Sequence, residues 1–423
     1  IHNIQCWKNS AVGLAGFVTG NAELIQDAID HPQRGFRAQI ARGVTDDGLW
    51  YEGSIGYHQY TMNALWPLAE AARNHGVDLY TDRYRSVYDA PIELALPNGD
   101  APGFNDNAGG NLYAMGALYE LAYTRWSRPE YGRLAARGKR NSLEALLYGA
   151  PDLPSGPVTP ERSSYLPDAG FAVLRSPAMS VAVRFGRHGG GHGHPDKLNI
   201  VTFGAARQGG LDPGSINYGV PLHHEWYLST IAHNTVAVDG RPQQKVDGKA
   251  LEWSSSGGRT SLVAEAAAYP DVVLKRSLRL DAQRLEDLFD GRSESEHTYD
   301  WAFHVPGRVS VNLELTPAEG SLGADHGYQH IRLTGRAMTD ESFTVRWTYP
   351  DGGLYSIRMA GAPRTEVFLG EGPGRDPAEG VPLVVVRRHG RNVSFRAEHT
   401  VKGASERRRR DLIPRDFGPK RRG

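Results

Sequence analysis

The sequence predicts an α+β protein, with a helical N-terminal part over residues 1–150 followed by an antiparallel β-sandwich over residues 161–403. Three observations carry this. Apolar residues recur at helical spacing up to about residue 148; four prolines in residues 151–160 then interrupt the pattern; and beyond them short β-branched segments alternate with turns. At 423 residues the chain exceeds what one core usually supports, so two domains are expected.

The first helix follows from Trp7, Ala11, Leu14, Ala15 and Val18, and a second from Leu24, Ile25, Ala28 and Ile29. Over residues 61–80, Met62, Leu65, Leu68, Ala69 and Ala72 share a face, and Gly76 supplies a stop. Residues 111–126 and 131–149 predict two further helices. The loops between them are rich in glycine and aspartate. PDLPSGPVTP reads as a linker. After it come FAVLRS, SVAVRFG, LNIVTFG, NTVAVDG, VVLKRSLRLD, FTVRWTY and PLVVVRR at sandwich-like spacing, with no helix of length between them. That excludes a βαβ core.

Composition narrows the function. There are 48 basic and 48 acidic residues, and no apolar run approaches the roughly 20 residues needed to cross a bilayer, so no membrane span is expected. The single cysteine, Cys6, excludes an intramolecular disulfide framework and a thiolate metal site. Residues 404–423 hold eight basic and three acidic residues and read as a disordered basic tail. No nucleic-acid-binding motif accompanies them, and nucleic acid is set aside. The chain starts at Ile1 without a signal-like segment, compatible with a processed periplasmic or secreted protein and also with the cytoplasm.

The chemistry concentrates in residues 186–240. Six of the sixteen histidines, His188, His192, His194, His223, His224 and His233, fall there. His192 and His194, two apart, share a face if they lie on a strand. With Asp212 in a DPG turn and His233 before NTVAVDG, they form a donor set that suits zinc. A Gly-rich hairpin lined by surface histidines fits the same residues. In EGSIGYHQY, Tyr57 and His58 sit in a Gly-rich mouth. Alone, such a histidine is ordinarily a surface residue, and Tyr113 after GFNDNAGGN ordinarily a core aromatic. The Asp46–Asp47 pair and Asp106 give no carboxylate spacing suited to a glycosidase.

Together, HNIQCW, YEGSIGYHQY, GGGHGHPDKLNIV, LDPGSINYG and AHNTVAVDG resemble the heparinase II/III-type and oligoalginate polysaccharide lyases. The resemblance implies an (α/α) toroid, incomplete here, with further helices and any signal peptide expected upstream of Ile1, followed by the β-sandwich. It implies a structural zinc held by His194, Asp212 and His233, with His192 facing the cleft. It implies His58 as base or carboxylate neutraliser and Tyr113 as acid, with Tyr218 as the base in some members. Some members carry Asn-His where this chain has Tyr57-His58.

The implied reaction is β-elimination on a 4-linked uronic acid in an acidic poly- or oligosaccharide such as alginate or heparan-type glycosaminoglycan. The C5 proton becomes removable once donors neutralise the neighbouring carboxylate. A base takes that proton and an acid protonates the departing C4 oxygen. The rival expectations are a zinc-dependent hydrolase and a non-catalytic glycan-binding protein.

Overall fold

The computed structural model describes residues 1–107 and 109–404. The basic tail expected over 404–423 falls, from Ser405 on, outside them. Among the described residues eight α-helices come first: Asn3–Thr19, Ala22–Asp30, Phe36–Gly43, Ile55–Asn74, Asp82–Leu94, Gly116–Trp126, Pro129–Ala135 and Leu143–Tyr148. Side-chain caps start several of them. Asn21 accepts from the N–H groups of Glu23 and Leu24, and Thr81 accepts from that of Tyr84. The helix expected over 61–80 begins earlier, at Ile55, and ends at Asn74, where Gly76 at φ +81° stops it. The helix expected over 131–149 is broken in two, with Arg140 held in the left-handed region while its side chain bonds Glu120 at 2.6 Å.

The first helix corrects its own apolar pattern. Ile4, Trp7, Leu14 and Val18 are exposed, and the buried face is Asn3, Cys6, Asn9, Ser10, Gly13 and Gly16. Small residues admit the neighbouring helix here. A Cβ on Gly13 would lie 2.3 Å from Leu68 Cδ1, and Ser10 Oγ donates to the carbonyl of Ala64.

The described residues beyond the helices build two antiparallel sheets. A five-stranded sheet runs in sequence order through Ser164–Leu166, Phe171–Arg175, Met179–Arg184, Asn199–Gly204 and Arg207–Gln208. A twelve-stranded sheet is built around the long pair Leu285–His304 and Gly380–Lys402, whose register slips once between Arg292 and His297. One core lies between the sheets, with Val181, Val183 and Ile200 against Phe289, Trp301, Phe303 and Trp347. The helices have their own core around Trp50, Leu65, Tyr84, Tyr88 and Tyr119.

A third cluster fixes the site, because it welds helical loops to the other face of the smaller sheet. Leu49, Leu96 and Phe104 pack on Phe171, Val173 and Val201, and the Phe104 and Phe171 rings are 5.8 Å apart. The strands at 179–184 and 199–204 are buried at every position, on both faces.

Candidate active site

The site forms where three segments meet: the loop 103–107, the glycine-rich run 186–194, and the segment following Asp212. Two glycines permit the approach. A Cβ on Gly189, at φ +98°, would sit 2.6 Å from the Glu52 carbonyl oxygen; one on Gly214, at φ +71°, would sit 2.2 Å from that of Asn107.

Asp106 organises the site. Asn105, itself at φ +62°, donates to the Gly53 carbonyl at 2.9 Å and accepts from the His194 N–H at 3.2 Å. That strap aims the Asp106 carboxylate at four donors: His192 Nδ1 at 2.9 Å, His194 Nε2 at 3.1 Å, Ser215 Oγ at 3.0 Å and Tyr218 OH at 3.0 Å. Burial alone would raise its pKa, but the bonds from His192, His194 and Ser215 hold it well below the usual carboxylate range. Both histidines turn one ring nitrogen to Asp106. The other nitrogen of His192, Nε2, lies on the cleft side, 3.9 Å from Glu52 Oε1, and that of His194, Nδ1, is buried without a partner.

The expected strand through the two histidines is absent. His192 ends a 3-10 turn, Gly190–His192, and the shared partner Asp106 brings the two rings together instead.

Tyr57 completes the cleft. It lies in the first turn of the Ile55–Asn74 helix, which is pinned by Ser54 Oγ donating to the Asp106 carbonyl at 2.8 Å. Its ring stacks on His192 and its hydroxyl lies 2.5 Å from that of Tyr218. Burial first, then Tyr57 and the charge on Asp106, push the Tyr218 phenol far up; burial also raises that of Tyr57. Both phenols rest protonated. The cleft, about 840 Å³, is also lined by Asn3, Tyr60 and Asn107. Asn3 donates to Glu52 Oε2 at 2.8 Å, and so does Trp50 Nε1 at 2.9 Å.

Two expected catalytic residues lie elsewhere. His58 is wholly buried: it accepts from the Trp50 N–H at 3.0 Å on Nδ1, and Nε2 lies 2.7 Å from the Val87 carbonyl. Burial lowers its pKa to about 4, so it is a neutral brace between helices. Tyr113 does not line the cleft. It sits in the turn Leu112–Met115, against the helical core, with the Arg137 guanidinium 5.5 Å over its ring and Gly99 packed on its edge. Tyr57 and Asp106 are the residues that sequence reasoning passed over. The helical phase of 55–74 was the available signal, since residues 57 and 58 point about 100° apart.

Of the expected metal ligands, Asp212 and His233 converge, with His233 Nδ1 3.0 Å from Asp212 Oδ2. The third residue offering a ligand atom within 4.8 Å of theirs is Asp196, not His194. All three are wholly buried, and Asp196 is paired with the equally buried Arg184. His194 stands beside them, its ring 5.4 Å from that of His233, with a buried Nδ1 that has no partner. Two nitrogens and two carboxylates are donors that suit zinc, and the unpartnered His194 Nδ1 adds to the fit.

The chain is 26% identical over 430 residues to an alginate lyase of Stenotrophomonas maltophilia and 24% identical over 443 residues to an exo-oligoalginate lyase of Saccharophagus degradans. Each match covers 89% of this chain but only 58% and 59% of the relative, so the chain spans about six tenths of their length. Among solved structures, heparan sulfate lyase HepC from Pedobacter heparinus superposes with a TM-score of 0.73 at 17% identity, over 94% of this chain and 60% of that one. An alginate lyase family model matches residues 1–98. The heparinase II/III-like C-terminal model matches residues 158–379, more than half of the chain, and the chain belongs to that family.

Proposed function

We propose that this chain carries the catalytic cleft of a polysaccharide lyase that cleaves 4-linked uronic-acid glycans by β-elimination, with alginate oligosaccharides or heparan-type chains as substrates. The helices are then an arc of an (α/α) toroid, residues 1–150, and the sheets the β-sandwich, residues 161–403. The observation that carries the reading is the stack of Tyr57 on His192, with Tyr218 and Asp106 hydrogen-bonded beneath it.

In this reading Asp106 fixes the His192 tautomer and stabilises the imidazolium as Nε2 takes the C5 proton. Asn3, on the same wall, and the cationic His192 offset the charge growing on the uronate. The C4–O4 bond breaks, and the Tyr57 hydroxyl protonates O4. The phenol rests protonated, as an acid must. Tyr218 OH, 2.5 Å away, holds the Tyr57 hydroxyl in place; solvent returns a proton to Tyr57 and takes up the one that His192 gained.

A zinc ion held by Asp212, His233, Asp196 and His194 Nδ1 is part of the proposal. Its role is structural, because the three convergent ligands are sealed from the cleft solvent, which also disfavours a zinc hydrolase. When bound, the ion supplies cross-linking between the histidine run and the strands behind it. Function on external glycans fits a periplasmic or secreted location; no described helix is long and apolar enough to cross a membrane. The test is incubation with alginate, heparan sulfate, chondroitin and hyaluronan while following the ultraviolet absorbance of an unsaturated uronate. Release of that chromophore is expected from at least one; silence on all four overturns the reading.

A further inference from the structure

A second groove, about 570 Å³, lies on the large sheet and shares no lining residue with the cleft. Cross-strand register builds it. Arg279 stands opposite Glu286, Glu286 opposite Glu398, and Glu398 opposite Arg358, so one rung crosses four strands. Arg396 occupies the next outward position beside Glu398. The two glutamates face each other, which alone is unfavourable. Arg284 resolves it by donating to Glu286 at 3.1 Å and to Glu398 at 2.7 Å.

Glu286 and Glu398 are engaged by Arg284 and the buried Asp287 by Arg276, which leaves Glu252 as the other carboxylate of the lining; the exposed Arg279, Arg358 and Arg396 have no ion-pair partner among the described residues. Strand spacing sets Arg279 and Arg358 about 14 Å apart at the two ends of the rung, with Arg396 beside its second glutamate, so the free cations are spread and not gathered at a single point. Leu288, on a strand between them, and Val263, on the strand beyond Arg279, both partly exposed, add apolar surface for the C–H face of a sugar ring.

We propose that this groove is an accessory binding site for a strand of acidic glycan, which holds the polymer while a chain end or segment occupies the cleft. Charge complementarity selects the occupant: guanidinium forks match the carboxylates repeated along a polyuronate, and a neutral glycan offers them nothing. The choice of a polyuronate rests on the lyase reading; the site itself rests on the unpaired arginines.

The test uses the full chain carrying Arg279→Ser, Arg358→Ser and Arg396→Ser together, with the triple Arg→Lys variant as a control that keeps the charge, and melting curves to show that both fold. Binding is measured by electrophoresis in gels containing alginate polymer or neutral dextran, at two salt concentrations. The expected result is retardation by alginate only, weakened about tenfold in the serine variant, partly kept in the lysine variant and diminished by salt. Turnover of a short uronate oligosaccharide stays at the level of the parent, while kcat/KM on polymer falls. Equal binding of polymer by parent and serine variant, or no binding by the parent, overturns the groove. Arginine-dependent binding without any unsaturated product overturns the lyase reading and leaves the groove standing.

Discussion

Tyr57 lies flat on His192, ring centroids 3.7 Å apart and planes 20° from parallel, so a helical residue and a residue of the glycine-rich run form one surface. The contact holds a phenol and an imidazole side by side at the floor of the cleft, with Tyr218 OH 2.5 Å from the Tyr57 hydroxyl and 3.3 Å from His192 Nδ1.

Tyr57→Phe keeps the stack and removes only the hydroxyl. Turnover is expected to fall by about 10²–10⁴-fold with KM changed little, as for loss of a general acid. Tyr113→Phe, on the helical core, is expected to keep activity within about twofold, as a surface-distant hydroxyl removal does. Initial rates of unsaturated uronate formation decide both, and a large loss in Tyr113→Phe would return the acid role to that residue.

Asp106→Asn leaves the shape and removes the charge that orients both histidines. An amide presents an N–H to at least one of them, so His192 loses its fixed tautomer and kcat falls by about 10²-fold or more. Acid stability changes too. The Asp106 carboxyl sits below its ordinary value of 3.8, so its contribution is present above that value and is lost as pH falls toward the lower folded one. Chemical denaturation between pH 5 and pH 2.5 should show a shallower decline in the variant.

His58 gives the opposite test of place. With its pKa lowered from 6.5 to about 4, the folded protein binds this proton less readily than the unfolded chain. Its contribution is therefore present above pH 6.5 and is lost as pH falls toward 4, by roughly 3 kcal/mol in all. His58→Ala leaves the Trp50 N–H and Val87 carbonyl unpaired and should cost roughly 2–4 kcal/mol at pH 7. Between pH 6.5 and 4 its stability should then decline less than that of the parent. Urea unfolding at several pH values measures both effects, and an unchanged slope would place His58 in solvent.

Asp212→Ala removes a ligand from the wholly buried trio. Purified parent protein is expected to carry about one zinc per chain and the variant much less, with a lower Tm. Elemental analysis with melting before and after chelation decides it. A parent without zinc, or a variant that keeps it, overturns the ligand set.

The order of helices and strands was legible because apolar period and turn residues are local properties, as residues 61–80 and the segment NTVAVDG illustrate. The HxH, DPG and HNT segments were legible as chemistry because those residue types seldom cluster. The face of each element was not. The first helix buries Gly13 and Ser10 and exposes Trp7, since close approach to Leu68 and Ala64 outweighs its apolar stripe. In YEGSIGYHQY helical phase sets Tyr57 and His58 on different faces, but only packing shows that Tyr57 takes the cleft and His58 the core. Asp106, unremarkable by spacing, became the centre because a loop folded across 86 residues to meet His192. By itself the sequence determined the elements, their order and the kind of donors present. Only tertiary structure decided which donors converge, because hydrogen-bond reach is about 3 Å and is set by packing between segments far apart in the chain.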